Sequence, residues 1–161
     1  MERDVGFVGL GAMGSRMARN IVAAGFSMRV YDADPEALSR FANEGVIVAQ
    51  NLGEIVENCN WIILSLPDGE VVETVLYDED GLRSKLRRGQ VVIDCSTIPP
   101  EQAVRVAEDF HSADACFLDA PVTGMEARAE EGTLTVMVGG DEGAFNEVKP
   151  VLEVIGRVVV H

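Results

Sequence analysis

Short apolar runs alternate along this chain with segments of helical periodicity. The runs are Val5 to Val8, Met28 to Tyr31, Val46 to Val48, Trp61 to Leu66, Val91 to Ile93, Cys116 to Leu118, Leu134 to Val138 and Val158 to Val160. Several are apolar at consecutive positions rather than at every second one, as a parallel strand buried on both faces requires. Between the first two runs, Met13, Met17 and Ile21 recur every four residues and mark the buried stripe of a helix that Gly25 can end. Asp34-Pro35-Glu36 sets an N-cap residue ahead of a proline at the first helical position, and Ile98-Pro99-Pro100-Glu101 opens another helix in the same manner. The alternation predicts an α/β fold: a doubly wound, mostly parallel sheet with helices on both faces.

With 161 residues, 47% of them hydrophobic, and no internal repeat or low-complexity tract, one domain spanning residues 1–161 is expected. No apolar run approaches the roughly 18 residues of a membrane span. The start, Met1-Glu2-Arg3-Asp4, leads into the first strand without a signal-peptide layout, so a cytoplasmic protein is expected. A formal net charge of −14 argues against nucleic acid and anionic membranes as partners, because an acidic field of that size repels phosphate. Cys59, Cys95 and Cys116 are widely spaced, with no C-x-x-C pair, and read as free thiols rather than metal ligands.

Candidate chemistry begins at Gly9-Leu10-Gly11-Ala12-Met13-Gly14, a G-x-G-x-x-G that follows the first run and opens the first helix. Three needs for glycine coincide there: a tight bend at Gly9, close approach of a pyrophosphate at Gly11, and close helix-to-strand packing at Gly14. The helix N-terminus then faces an anion. Asp32 ends the second run 18 residues beyond Gly14, near the distance at which a carboxylate accepts from the adenosine ribose hydroxyls. It would repel the extra phosphate of NADP, and Ala33 supplies no compensating cation, so NAD is the expected cofactor and NADP the less favoured one. Asp32 also reads as a turn residue before Asp34-Pro35.

The segment GLGAMGSRMARNI, residues 9 to 21, resembles the fingerprint of the β-hydroxyacid dehydrogenases, the 3-hydroxyisobutyrate and 6-phosphogluconate dehydrogenase type. Leu66-Pro67-Asp68, Asp94-Cys95-Ser96-Thr97, Asp119 to Gly124, Gly132-Thr133-Leu134 and Met137 to Gly140 match in order and spacing, so the resemblance covers essentially the whole chain. It implies that Leu66 and Pro67 border the adenosine and ribose, that Thr97 lies beside the nicotinamide ribose, and that Thr123 and Gly124 hold a substrate carboxylate. Thr97 also reads as an N-cap for the helix after Pro99. Two positions depart from the family pattern, where Met125 and Arg128 stand in place of glycines. Arg128 reads as the partner of Glu126 or Glu131 on a helix face, in preference to a cation turned toward an acidic substrate.

The resemblance further implies a lysine as the base, on a helix in an all-helical second domain that this chain lacks. Lys85 and Lys149 have no such context and read as surface charges, His111 reads as a solvated helix end, and His161 is the final residue. The expected function is the cofactor-binding half of an NAD-dependent oxidoreductase acting on a small 3-hydroxy acid. The chain alone should bind cofactor without turnover, and the full-length protein should be a homo-oligomer. A standalone NAD(H)-binding or redox-sensing module is the alternative. An imine reductase-like enzyme is a third reading, against which Asp32 argues because those enzymes generally favour NADP.

Overall fold

Strand β1 (Val5–Val8) is buried along its whole length and lies at the centre of a six-stranded parallel sheet. It is flanked by β2 (Met28–Tyr31) and β3 (Ile47–Val48) on one side, and by β4 (Trp61–Leu64), β5 (Val91–Asp94) and β6 (Cys116–Asp119) on the other. The resulting order, β3-β2-β1-β4-β5-β6, is the doubly wound arrangement expected from the apolar runs. This computed structural model describes residues 4–161, so the expectation placed on the start at Met1, Glu2 and Arg3 lies outside the described residues.

Helices cover both faces. Helix α1 (Ala12–Ala23) and the long helix α7 (Glu142–Ile155) pack on one side, where Met17, Ile21, Val148 and Leu152 meet Val5 and Phe7. On the other side α3 (Leu52–Asn58), α4 (Gly69–Tyr77) and α5 (Pro100–Ser112) bury Ile55, Val72, Val106 and Phe110 against Val8, Ile62 and Val92. Burial on both faces is why these strands carry no polar alternation. Two of the predicted helix ends form as well: Asp34 accepts from Glu36 N at 2.9 Å at the start of α2 (Pro35–Phe41), and Gly25 turns the chain out of α1 at φ 90°.

Two expectations need correction. The run from Trp61 to Leu66 is a strand only as far as Leu64: Ser65 N–H makes a last bond to the Val8 oxygen, and the Leu66 amide turns to the Ser96 hydroxyl oxygen instead of the ladder. The last two apolar runs do not extend the main sheet. They form β8 (Leu134–Met137) and β9 (Gly156–Val160) of a separate three-stranded sheet, with the short β7 (Val122–Thr123) antiparallel to β8. The segment before β8 includes α6 (Met125–Glu131), which packs on α1.

Two places at the carboxyl edge are tightly constrained. A Cβ built on Gly14 would stand 2.0 Å from the Gly9 carbonyl oxygen and 3.2 Å from the Phe7 ring, so α1 rests directly on the turn it follows. At the end of β5, Asp94 is fully buried, and its Oδ1 accepts from Ser96 N at 2.9 Å. Burial pushes this carboxyl up to about 6 against the pull of the Ser96 hydroxyl and amide, with a smaller upward push from Asp119.

Both constraints give measurable outcomes. Gly14→Ala should lose about 2–3 kcal/mol in urea denaturation through overpacking against backbone, and a variant of unchanged midpoint would show that α1 does not rest on Gly9. Native Asp94 holds its proton to higher pH than the unfolded chain does, so this group makes stability fall as pH rises from about 4 to about 6 and then level off. Asp94→Asn removes that contribution. The stability of the variant relative to wild type should therefore rise by up to about 3 kcal/mol between pH 4 and pH 7. A difference that stays constant over this range would rule out the raised carboxyl.

Candidate functional site

Connections leave β1 toward β2 on one side and return through β4 on the other, so the loops beyond their carboxyl ends part and leave a crevice. A cleft of about 650 Å³ occupies that place. All six residues of the glycine motif, Gly9, Leu10, Gly11, Ala12, Met13 and Gly14, line it together with Asp32, Leu66 and Pro67. The structure therefore brings together nine of the ten residues expected at a cofactor.

The glycines of the motif stand in different surroundings. Gly9 has φ +96°, and a Cβ there would stand 2.2 Å from the Ser65 carbonyl oxygen, so the turn is pressed against the end of β4. At Gly11 nothing lies within 4 Å of the same position, which leaves one face of the backbone open to an approaching group. Gly11 caps α1 without a side-chain hydrogen bond, and the first turn of this 12-residue helix carries no acidic residue. Its N–H groups and dipole are thus left for an anion.

Asp32, half-buried at the end of β2, serves the turn and the cleft together. Its Oδ2 accepts from Leu10 N at 2.6 Å and its Oδ1 from Asp34 N at 2.8 Å. Each oxygen retains a lone pair for a further donor. Among the lining residues that sequence reasoning missed are Arg40, and Val71 and Val75 of α4 on the apolar wall. The two valines stand one helical turn apart and are not fully buried, which was legible as a pair but not as a wall without the fold. A dinucleotide fits this donor set and shape, with an open amide turn for its pyrophosphate, a carboxylate for its ribose and apolar walls for its base.

The remaining predicted residues stand outside the cleft. Thr97 is exposed beyond β5 and does not cap α5, whose N-cap is Pro99 with no side-chain hydrogen bond; two consecutive prolines start that helix without one. Thr123 is exposed on β7, and Gly124 follows at φ 140°. Met125 adopts φ 60°, the left-handed region that a glycine enters freely, and its side chain is 82% exposed. The expected ion pair of Arg128 with Glu126 or Glu131 is not made. Glu126 pairs with Arg16 of α1 at 2.9 Å, Glu131 takes the Thr133 hydroxyl at 3.3 Å, and α6 packing on α1 is what brings Arg16 to Glu126 first. The Arg128 stem lies over Gly124 instead, where a Cβ would meet its Cδ at 2.8 Å.

Lys85 pairs with Asp80 at 3.0 Å and Lys149 with Glu153 at 3.7 Å. His161 stacks on Phe145, with Nε2 3.0 Å from the Gly140 oxygen, and His111 lies exposed in the last turn of α5. The three cysteines are free, as expected, and burial pushes the thiols of Cys59, to about 12, and of Cys95 up, so both stay protonated. Burial likewise raises Asp119, which lies beside Asp94 on β6. Among the described residues no group of three His, Cys, Asp or Glu is placed to hold a metal, and no helix is long and apolar enough to cross a membrane.

Comparison with known proteins agrees with this geometry. Residues 4–161 match the family described as the NAD binding domain of 6-phosphogluconate dehydrogenase. The chain is 39% identical to 3-hydroxyisobutyrate dehydrogenase of Pseudomonas aeruginosa over 158 residues, which are 98% of this chain and 53% of that protein. It is 36% identical to the NAD-dependent L-serine dehydrogenase of the same organism, covering 99% of this chain and 53% of the relative. The 3-hydroxyisobutyrate dehydrogenase of Mycobacterium tuberculosis, solved with L-serine, superposes with a TM-score of 0.93 at 37% identity, over 100% of this chain and 54% of the other. The chain thus spans about half the length of the curated relatives it matches. It belongs to the 3-hydroxyisobutyrate and 6-phosphogluconate dehydrogenase-like family, as an NAD-binding domain.

Proposed function

We propose that this chain is the cofactor-holding part of an enzyme that reversibly oxidises a small 3-hydroxy acid by hydride transfer to NAD. The observation that carries the reading is the open backbone face at Gly11, at the N-terminus of an uncapped helix, with Asp32 in the same cleft. Gly9, Leu10, Gly11, Ala12, Met13 and Gly14 hold the pyrophosphate. Asp32 accepts from the ribose hydroxyls, while Leu66 and Pro67 wall the adenosine. Thr97, farther along the same edge, stands on the nicotinamide side.

A nicotinamide held at that end would supply the hydride acceptor and donor. Thr123 and Gly124 bind the substrate carboxylate, which is consistent with an exposed hydroxyl beside a partly exposed glycine and needs no charged side chain. The names of the two Pseudomonas relatives support the substrate class, since 3-hydroxyisobutyrate and L-serine both carry a hydroxyl on the carbon β to a carboxylate. The proton of that hydroxyl needs a base. Lys85 and Lys149 are held in surface ion pairs, which supports a base supplied from outside residues 1–161 and, with it, a cofactor-binding but inactive chain. The complete protein would then work as a homo-oligomer.

Calorimetric titration tests the cofactor assignment. NAD should bind at least about tenfold more tightly than NADP, a difference of about 1.4 kcal/mol. Replacing Asp32 by Asn and Ala33 by Arg together should move that preference toward NADP, and an unchanged ratio would remove Asp32 from the ribose site. Thr123→Val in the enzyme expressed from its full reading frame should raise KM for the hydroxy acid about tenfold, as expected for a lost hydrogen bond to a charged group, with KM for NAD unmoved. Equal shifts in both constants would place Thr123 elsewhere. Substrate-dependent NADH formation by residues 1–161 alone would show that the base lies within them.

A further inference from the structure

Two groups at the carboxyl edge answer each other's unmet need. Asp94 Oδ2 is buried and accepts no hydrogen bond. Ser96, only 4% exposed, accepts from Leu66 N–H through its Oγ at 2.9 Å, so its hydroxyl proton must find an acceptor of its own. Ser96 already folds back on the carboxyl, its N–H donating to Asp94 Oδ1 at 2.9 Å. We propose that Asp94 is a positioning residue for NAD: it draws the Ser96 proton onto Oδ2, leaves a Ser96 lone pair aimed at Leu66 N–H, and so fixes the wall formed by Leu66 and Pro67.

The location gives this relay its leverage. The β4–β5 ladder ends with Cys95 N donating to the Leu64 oxygen at 2.8 Å, and the next amide on the β4 side, Leu66 N–H, is taken by a side chain. Leu66 in turn abuts the glycine turn, since a Cβ on Gly9 would meet the Leu66 Cδ2 at 3.0 Å. A fault at Asp94 therefore reaches the cleft through two contacts. A buried carboxylate with a raised proton affinity opposes stability at neutral pH, and an asparagine would fill the same volume at lower cost. Asparagine, however, can present an N–H to Ser96 Oγ and compete with Leu66 for its lone pairs, reversing the direction of the relay.

The same logic sets the pH response. Asp119 on β6 is the charged group that acts on Asp94, β4 presents Leu64 in register with it, and α4 and α5 bring Val72 and Val106 rather than charges to that face. Below about pH 6 the protonated carboxyl becomes a donor to Ser96, and the bond to Leu66 loses its support.

The inference rests on the cleft being the NAD site, and the test separates the two. NAD is titrated calorimetrically from pH 5 to pH 8 into the wild-type protein, Asp94→Asn, Ser96→Ala and the double variant, and amide exchange at Leu66 is followed without cofactor. At neutral pH each single variant should bind NAD about tenfold more weakly, and the double variant no worse than the weaker single one. Wild-type affinity should fall as pH drops through about 6, and Ser96→Ala should lack that fall. Leu66 should exchange faster in both single variants. Additive losses, unchanged affinity, or Leu66 protection that survives in both would overturn the relay alone. Failure of the wild type to bind NAD would overturn the cleft assignment and the positioning role with it. Should Asp94→Asn not fold, the wild-type profile and Ser96→Ala decide the matter without it.

Discussion

The α-carbon of Gly14 rests against the carbonyl of Gly9, with no space between them for a methyl group. That contact fixes how α1 leaves β1, and with it the direction in which the helix points its unsatisfied N–H groups. The sheet order supplies the other half of the geometry. Because β2 and β4 flank β1 and their connections diverge, the helix N-terminus faces a crevice rather than a neighbouring loop. A side chain at Gly14 would tilt α1 away from the turn, and the amides would no longer converge on one anion.

The chain carries a net charge of −14, yet its cofactor is an anion. The two facts are compatible because charges on solvent-exposed surfaces are screened over a Debye length of about 8 Å at physiological salt, whereas the amides of α1 act at contact distance. No acidic residue occupies the first turn of α1, although α2, α3, α4, α5, α6 and α7 all carry one there. The exception falls where a fixed negative charge would compete with a phosphate. Two acids line the cleft, Asp32 and Asp34, and Asp32 accepts from Leu10 N and Asp34 N, so its charge is partly answered by the backbone N–H groups of the turns it joins.

Fold and cofactor cleft were legible in the sequence because each rests on a local requirement. Consecutive apolar residues at Val5 to Val8 and Trp61 to Leu64 announce strands buried on both faces, and the glycine spacing announces a backbone with no room for side chains. The second sheet was not legible, since Leu134 to Met137 is as apolar as a strand of the main sheet and its partners are set by tertiary packing. Thr97 failed as a helix cap because paired prolines already start α5. Nothing in the sequence singles out Asp94, because neither its burial nor its orphaned oxygen can be read without the neighbouring strands. Arg128 was misassigned on helical spacing alone, which takes no account of a competitor on another helix.

That competitor shows how the substrate side depends on the cofactor side. Met125 is held at φ 60°, a conformation that costs a non-glycine residue on the order of 1–2 kcal/mol. The segment keeps it because α6 is anchored to α1 at two points. Asn20 Nδ2 donates to the Ala129 oxygen at 2.7 Å, and Arg16 pairs with Glu126 at 2.9 Å. Helix α1 therefore presents its N-terminus to the cleft and its flank to the segment that follows Thr123 and Gly124. Any displacement of α1 at Gly14 moves both together, so the close contact at the glycine turn also sets the register between the two halves of the proposed site.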